Sequence, residues 1–149
     1  GARSVDPAEL VGVLETLAET YEYVLVDAPA GFEADAALPI VAADCCILVT
    51  TPDPATLADA VRTRSLAREL GTDLGAVVLN RAAETRDSVT ETLGGPQFAV
   101  PERADIHAAQ QSGLPVAMTD AAPAARRAFD AVASQVRTLA RDRRTNPRS

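Results

Sequence analysis

Apolar residues recur along the chain with two alternating periods. Leu10, Leu14, Leu17 and Tyr21 fall at helical spacing after Asp6 and Pro7, where an acidic cap, a proline at the first helical position and Glu9 mark a helix start. That stripe predicts an amphipathic helix lying on a sheet. Residues 23–26, Cys45–Thr50 and residues 76–79 are instead short, continuous runs bounded by Gly, Pro, Asp or Asn, and they read as buried strands. Gln97–Val100 reads as a fourth. Helical patterns separate them: 33–43, interrupted by Pro39; 54–70, opening on Asp53 and closing at Gly71; and a short helix over 88–93. A helix over 103–112 then ends at Gly113. A long final helix over 122–141 carries the stripe Phe129, Val132, Val136 and Leu139, which predicts docking against the sheet in preference to insertion into a lipid surface.

Strands that alternate with helices and are apolar throughout need cover on both sides, so the class is α/β, a parallel sheet with helices on both faces. The 149 residues suit one domain with a single core, and residues 142–149 read as a polar, frayed tail.

Composition narrows the chemistry. All 14 basic residues are Arg, so lysine Schiff-base chemistry and a GxxxxGK[S/T] phosphate loop are both excluded from these residues. A net charge of −7 and a pI of about 4.6 disfavour nucleic acid as a partner. The adjacent Cys45 and Cys46 point to opposite faces of a strand, which gives neither a disulfide framework nor a zinc site. No apolar run reaches the roughly 18 residues of a membrane span. With no secretory leader pattern, a cytoplasmic protein is expected.

In open parallel sheets ligands bind beyond the carboxyl ends of the strands. Here those ends run into Asp27-Ala28-Pro29-Ala30-Gly31, Thr50-Thr51-Pro52-Asp53, Asn80-Arg81 and Pro101-Glu102. An Asp closing an apolar strand is a hard oxygen ligand suited to Mg²⁺, directly or through water, and Gly31 lets backbone approach a phosphate. Taken alone each signal is weak, because Asp and Asn also serve turns. Thr51 and Asp53 read better as a helix cap than as a site.

Together these segments carry a resemblance. YVLVDAPAG, VTTPDPATLADAVR, VVLNR, VPERADIHAAQQSGLPV and PAARRAFDAVA resemble the MinD/ParA family of deviant P-loop ATPases over nearly the whole chain. The switch segment Asp27 to Gly31 favours the MinD branch: ParA-type proteins tend to carry a second Pro where Ala30 stands, and the iron–sulfur carrier branch has a CxxC that this sequence lacks. The resemblance implies ATP and Mg²⁺ as cofactors. It makes Asp27 the catalytic and Mg²⁺-associated acid, places Ala30 and Gly31 at the terminal phosphate, and gives Asn80 the adenine edge. Arg81 becomes a base or ribose neighbour, and Pro101 and Glu102 line the other side of the base. It further implies an ATP-bound homodimer alternating with a monomer to position cell-division or polar machinery, a protein activator or septal partner, and peripheral membrane contact, which this polar tail supports poorly.

One departure is large. The resemblance begins shortly before the strand that ends at Asp27, so the family's Lys-bearing phosphate loop lies outside these residues, and residues 1–141 match the C-terminal part of the nucleotide-binding domain. In that topology the phosphate-loop strand sits between the strand ending at Asp27 and the one ending at Thr51. The 149 residues alone are therefore expected to bind ATP weakly or not at all and to be inactive. A non-catalytic interaction module and one half of a split ATPase are the alternative readings.

Overall fold

The computed structural model describes residues 7–29, 34–118 and 123–145. Three strands, β1 (Cys45–Thr50), β2 (Asp73–Asn80) and β3 (Gln97–Val100), form a parallel sheet in the order β1-β2-β3. Helix α1 spans Pro7–Thr20 and α2 spans Ala34–Ala42 ahead of the sheet, and the crossovers are α3 (Pro54–Glu69) and α4 (Asp87–Leu93). After β3 come α5 (Ala104–Gln111), a single 3₁₀ turn at Val116–Met118, and α6 (Pro123–Thr145). The α/β class and the sheet with helices on both faces are as expected.

Helices α3 and α4 share one face. Leu48, Val77 and Leu79 from the strands pack there with Ala60 of α3, Ala82, and Val89 and Leu93 of α4, with Leu57, Leu74 and Ala99 closing the cluster. Parallel strands covered in this way must be apolar at every position, and β2 is buried from Gly75 through Leu79. Helix α6 covers the other face against β2 and β3. Its closest approach is set by Gly75. A Cβ at that position would lie 2.6 Å from Leu139 Cδ1 and 3.3 Å from Cys45 Sγ, and Gln135 Nε2 donates to the Gly75 carbonyl at 3.0 Å. The register with β1 skips Gly75, so this bulge returns Leu74 and Val77 to the same face. Cys45 faces α6, while Cys46 comes under the field of Arg64 on α3, so the cysteines do point to opposite faces.

The structure departs from expectation in four places, the first being β2, which begins at Asp73 and not at residue 76. Residues 23–26 form no strand: they run as irregular chain with Leu25 80% exposed. The composition suits a strand, but a strand also needs a neighbour for its N–H and C=O groups, and the ladder stops at β1, whose Val49 is 67% exposed. Helix α1 therefore rests mainly on α2 and not on the sheet, with its stripe half-buried and Tyr21 exposed. Finally, α6 continues past Arg141 to Thr145, so Asp142 to Thr145, expected to open the polar tail, are helical, while residues 146–149 of that tail lie outside the described residues. Arg143 fixes that end, donating to the Asp44 carbonyl at 2.7 Å and to Asp73 Oδ2 at 2.6 Å, and Arg144 pairs with Glu22 at 3.0 Å.

Candidate nucleotide-binding rim

All three strands are parallel, so their carboxyl ends open on one rim. Strand β2 is anchored by the fully buried Val77 and Leu79, and the next residue, Asn80, emerges exposed. Asn80 stands in register with Val100 at the end of β3. The chain turns at Arg81 with φ 58°, in the left-handed region, and re-enters at the buried Ala82, whose N–H donates to the Val100 carbonyl at 3.0 Å. Asn80 and Arg81 thus project from a loop pinned on both sides. Pro101 and Glu102 follow Val100 directly, so the structure brings Asn80, Arg81, Pro101 and Glu102 together. Within this loop the Arg81 N–H donates to Asn80 Oδ1 at 3.0 Å, leaving the two hydrogens of Nδ2 for a ligand.

The end of β1 is different in kind. Asp53 caps α3, its Oδ1 accepting from the Ala55 N–H at 2.8 Å, which is the role preferred for it from sequence. The Thr51 and Thr56 hydroxyls share a hydrogen bond of 2.7 Å, and the buried Thr50 hydroxyl donates to the Thr51 carbonyl at 3.3 Å. These groups satisfy one another.

Asp27 is exposed on the irregular segment that follows α1 and joins no strand. Ala30 and Gly31 lie outside the described residues. Among the described residues no group of three or more His, Cys, Asp or Glu could hold a metal ion by itself. A single carboxylate still fits Mg²⁺, which keeps several waters and is commonly held by one or two carboxylates together with substrate phosphates. The base end of a nucleotide likewise fits the exposed Asn80 amide. The phosphate end finds no lysine in this sequence. Concavities along α1, of about 530 Å³, and between α3 and α4, of about 240 Å³, lie off the rim and include none of these residues.

Sequence reasoning did not find the left-handed turn at Arg81. An Asn followed by a non-glycine residue carries no pattern that sets φ, and only the backbone shows it. Nor did it find the Arg143 and Arg144 anchors, because a run of arginines near a terminus has the composition of a solvated tail.

No protein-family model matches the chain. An ATP-binding protein of Methanocaldococcus jannaschii, described as uncharacterised, is 34% identical over 115 residues, covering 73% of this chain and 44% of that protein. The septum site-determining protein MinD of Thermotoga maritima is 27% identical over 126 residues, covering 76% of this chain and 46% of that one. Among solved structures, the septum site-determining protein MinD of Pyrococcus horikoshii, complexed with Mg-ADP, superposes with a TM-score of 0.79 at 25% identity, over 91% of this chain and 58% of that one. The chain spans about half the length of the relatives it matches.

Proposed function

Because the chain belongs to the MinD/ParA family of ATPases, we propose that it is the C-terminal part of a MinD-like ATPase that binds Mg-ATP. The observation that carries this reading is the rim itself: β2 and β3 end side by side and present Asn80 and Arg81 next to Pro101 and Glu102. In this reading the Asn80 amide meets the adenine edge, while Pro101 and Glu102 flank the base. Asp27 holds Mg²⁺ through water, and the backbone at Ala30 and Gly31 meets the terminal phosphate. Bound Mg²⁺ supplies charge neutralisation at the phosphate oxygens.

The phosphate cradle belongs between the segment leading to Asp27 and β1. Residues 23–26, which join no strand and are exposed except for the half-buried Val24, and the open outer edge of β1 support that placement. A strand inserted there would pair both at once. The protein at its native length then alternates between a monomer and an ATP-bound dimer, works in the cytoplasm, and positions cell-division or polar machinery with a protein activator. In this reading membrane contact is peripheral; among the described residues no helix is long and apolar enough to cross a membrane, and of the α6 stripe Val132, Val136 and Leu139 are half-buried while Phe129 is exposed. The same open edge would equally accept a strand from a second, lysine-bearing polypeptide, which is the split-ATPase reading.

The test is Mg-ATP titration and turnover at native length. Saturable binding is expected, with Asp27→Asn lowering turnover by at least tenfold because it removes the carboxylate charge next to Mg²⁺. Absence of nucleotide binding, or wild-type turnover by Asp27→Asn, contradicts the proposal.

A further inference from the structure

We infer that Arg144 is a positioning residue: from the last turn of α6 it holds Glu22 level with the starts of β1 and β2, and so sets the register in which residues 23–26 enter the sheet and the height at which Asp27 reaches the rim. This rests on the proposed placement of Asp27 beside Mg²⁺ and adds what puts it there.

Helix α6 descends the sheet, with Gln135 and Leu139 against Gly75 and Arg143 beyond them at Asp73. Arg143 Nη2 donates to the Asp44 carbonyl at 2.7 Å and to Asp73 Oδ2 at 2.6 Å, which pins the end of the helix at the starts of both strands. The next residue, Arg144, reaches the segment after α1, where its Nη1 donates to Glu22 Oε1 at 3.0 Å. Glu22 first, and the Tyr23 hydroxyl after it, hold this guanidinium above its ordinary range. Among the described residues, the hydrogen bonds that join residues 22–29 to the rest of the fold are those of Arg144. A segment that joins no strand is thus held at one end, by a helix that is itself fixed.

Asp44 is followed six residues later by Thr50 at the end of β1, and Glu22 is followed five residues later by Asp27. At about 3.3 Å per extended residue these spans are about 20 Å and about 17 Å. A segment tied at Glu22 and drawn out along the sheet therefore delivers Asp27 to within one residue of the rim. Strand β2 agrees, since Asp73 and Asn80 are seven residues apart and the bulge at Gly75 takes up one of them. Register matters because side chains alternate: a slip of one residue turns Asp27 to the opposite face, and a slip of two moves it about 7 Å along the strand. Tyr23-Val24-Leu25-Val26 is apolar at every position, so its own pattern does not distinguish one register from the next, and a parallel strand has no tight turn to do so. A charge pair at its start supplies the missing reference point.

The experiment compares wild type, Arg144→Glu, Glu22→Arg and the charge-swapped double variant at native length, with two readouts. One is hydrogen exchange of residues 23–27 without nucleotide, and the other is the Mg²⁺ concentration that half-saturates ATP turnover. Each single variant sets like charges face to face and is expected to raise both the exchange rate and the half-saturating Mg²⁺ concentration by about threefold, the weight of an exposed ion pair made repulsive, while exchange of the β2 amides stays as in wild type. The double variant is expected to restore both values. If Arg144→Glu does not fold, Arg144→Gln carries the comparison. Unchanged exchange or an unchanged Mg²⁺ dependence in the single variants overturns the inference, as does a loss that the charge swap leaves unrepaired. Such results leave the proposed function standing as long as turnover requires Asp27. A wild type that binds no nucleotide, or Asp27→Asn turning over like wild type, overturns the proposed function and this inference with it.

Discussion

Gly75 sets how closely α6 lies on the sheet, and a Gly75→Ala substitution tests that packing. The backbone there is outside the left-handed region, so an added methyl meets only neighbouring atoms. Those are Leu139 Cδ1 at 2.6 Å, Cys45 Sγ at 3.3 Å and the Cys46 carbonyl at 3.5 Å. The first is well inside van der Waals contact but is the end of a flexible side chain, so Leu139 can rotate away at some loss of packing. Overpacking of this kind costs about 1–3 kcal/mol. The stiffer unfolded chain of Ala returns about 0.4–1 kcal/mol. A net destabilisation of about 1–2 kcal/mol follows. Leu139→Ala costs a similar amount, because the side chain is only half-buried. It also removes the obstructing methyl, so in that background Gly75→Ala becomes nearly neutral. The double-mutant cycle should therefore show a coupling of about 1 kcal/mol or more, read from urea unfolding of the native-length protein. Additivity within about 0.3 kcal/mol would refute the proposed contact between α6 and β2.

Three further outcomes are expected. Leu79→Ala, at a fully buried position between the sheet and α3, should cost about 2–5 kcal/mol in the same urea assay, and a loss under about 1 kcal/mol would contradict its place in the core. Thr72 is buried and donates to the Ile40 carbonyl at 2.8 Å, tying α2 to the start of β2; Thr72→Val leaves that carbonyl with only the long bond from the Ala43 N–H at 3.4 Å and should cost about 1 kcal/mol. Burial first, then Cys45 beside it, raises the Cys46 thiol above its ordinary range, so less of it is thiolate at pH 8. Mass-mapped alkylation of Cys46 should then be several-fold slower in the native protein than in urea, and should accelerate as pH rises; equal rates at pH 8 would contradict that environment.

Much of the sheet was legible because its boundaries are chemical. Asp44 and Pro52 bracket β1, Asp53 caps α3, and Gly71 ends it with φ 77°, so strand and crossover fall where the residues say. The rim was legible for the same reason: apolar runs stop at Asn80 and Pro101, and parallel strands carry both to one side. Strand β2 proved longer at its start than its apolar run, since Asp73 and Gly75 lack strand propensity and enter through pairing with β1 and close approach of α6. The opposite error occurred at residues 23–26, where propensity was high and no partner strand was present. Local pattern reports what a segment tolerates, and a ladder requires a second segment to agree. Arg81 shows the limit of residue-type reasoning, because a φ of 58° is disfavoured for a side-chain-bearing residue and occurs here where the chain turns back to the Ala82 N–H bond with the Val100 carbonyl.

The most direct test of the chain as the base-reading part of a larger ATPase is native mass spectrometry of the protein taken from its own cells, sprayed with Mg-ATP. We predict a polypeptide heavier than 15.5 kDa by at least a phosphate-loop segment, carrying bound nucleotide. A 15.5 kDa species with neither partner chain nor nucleotide would contradict it.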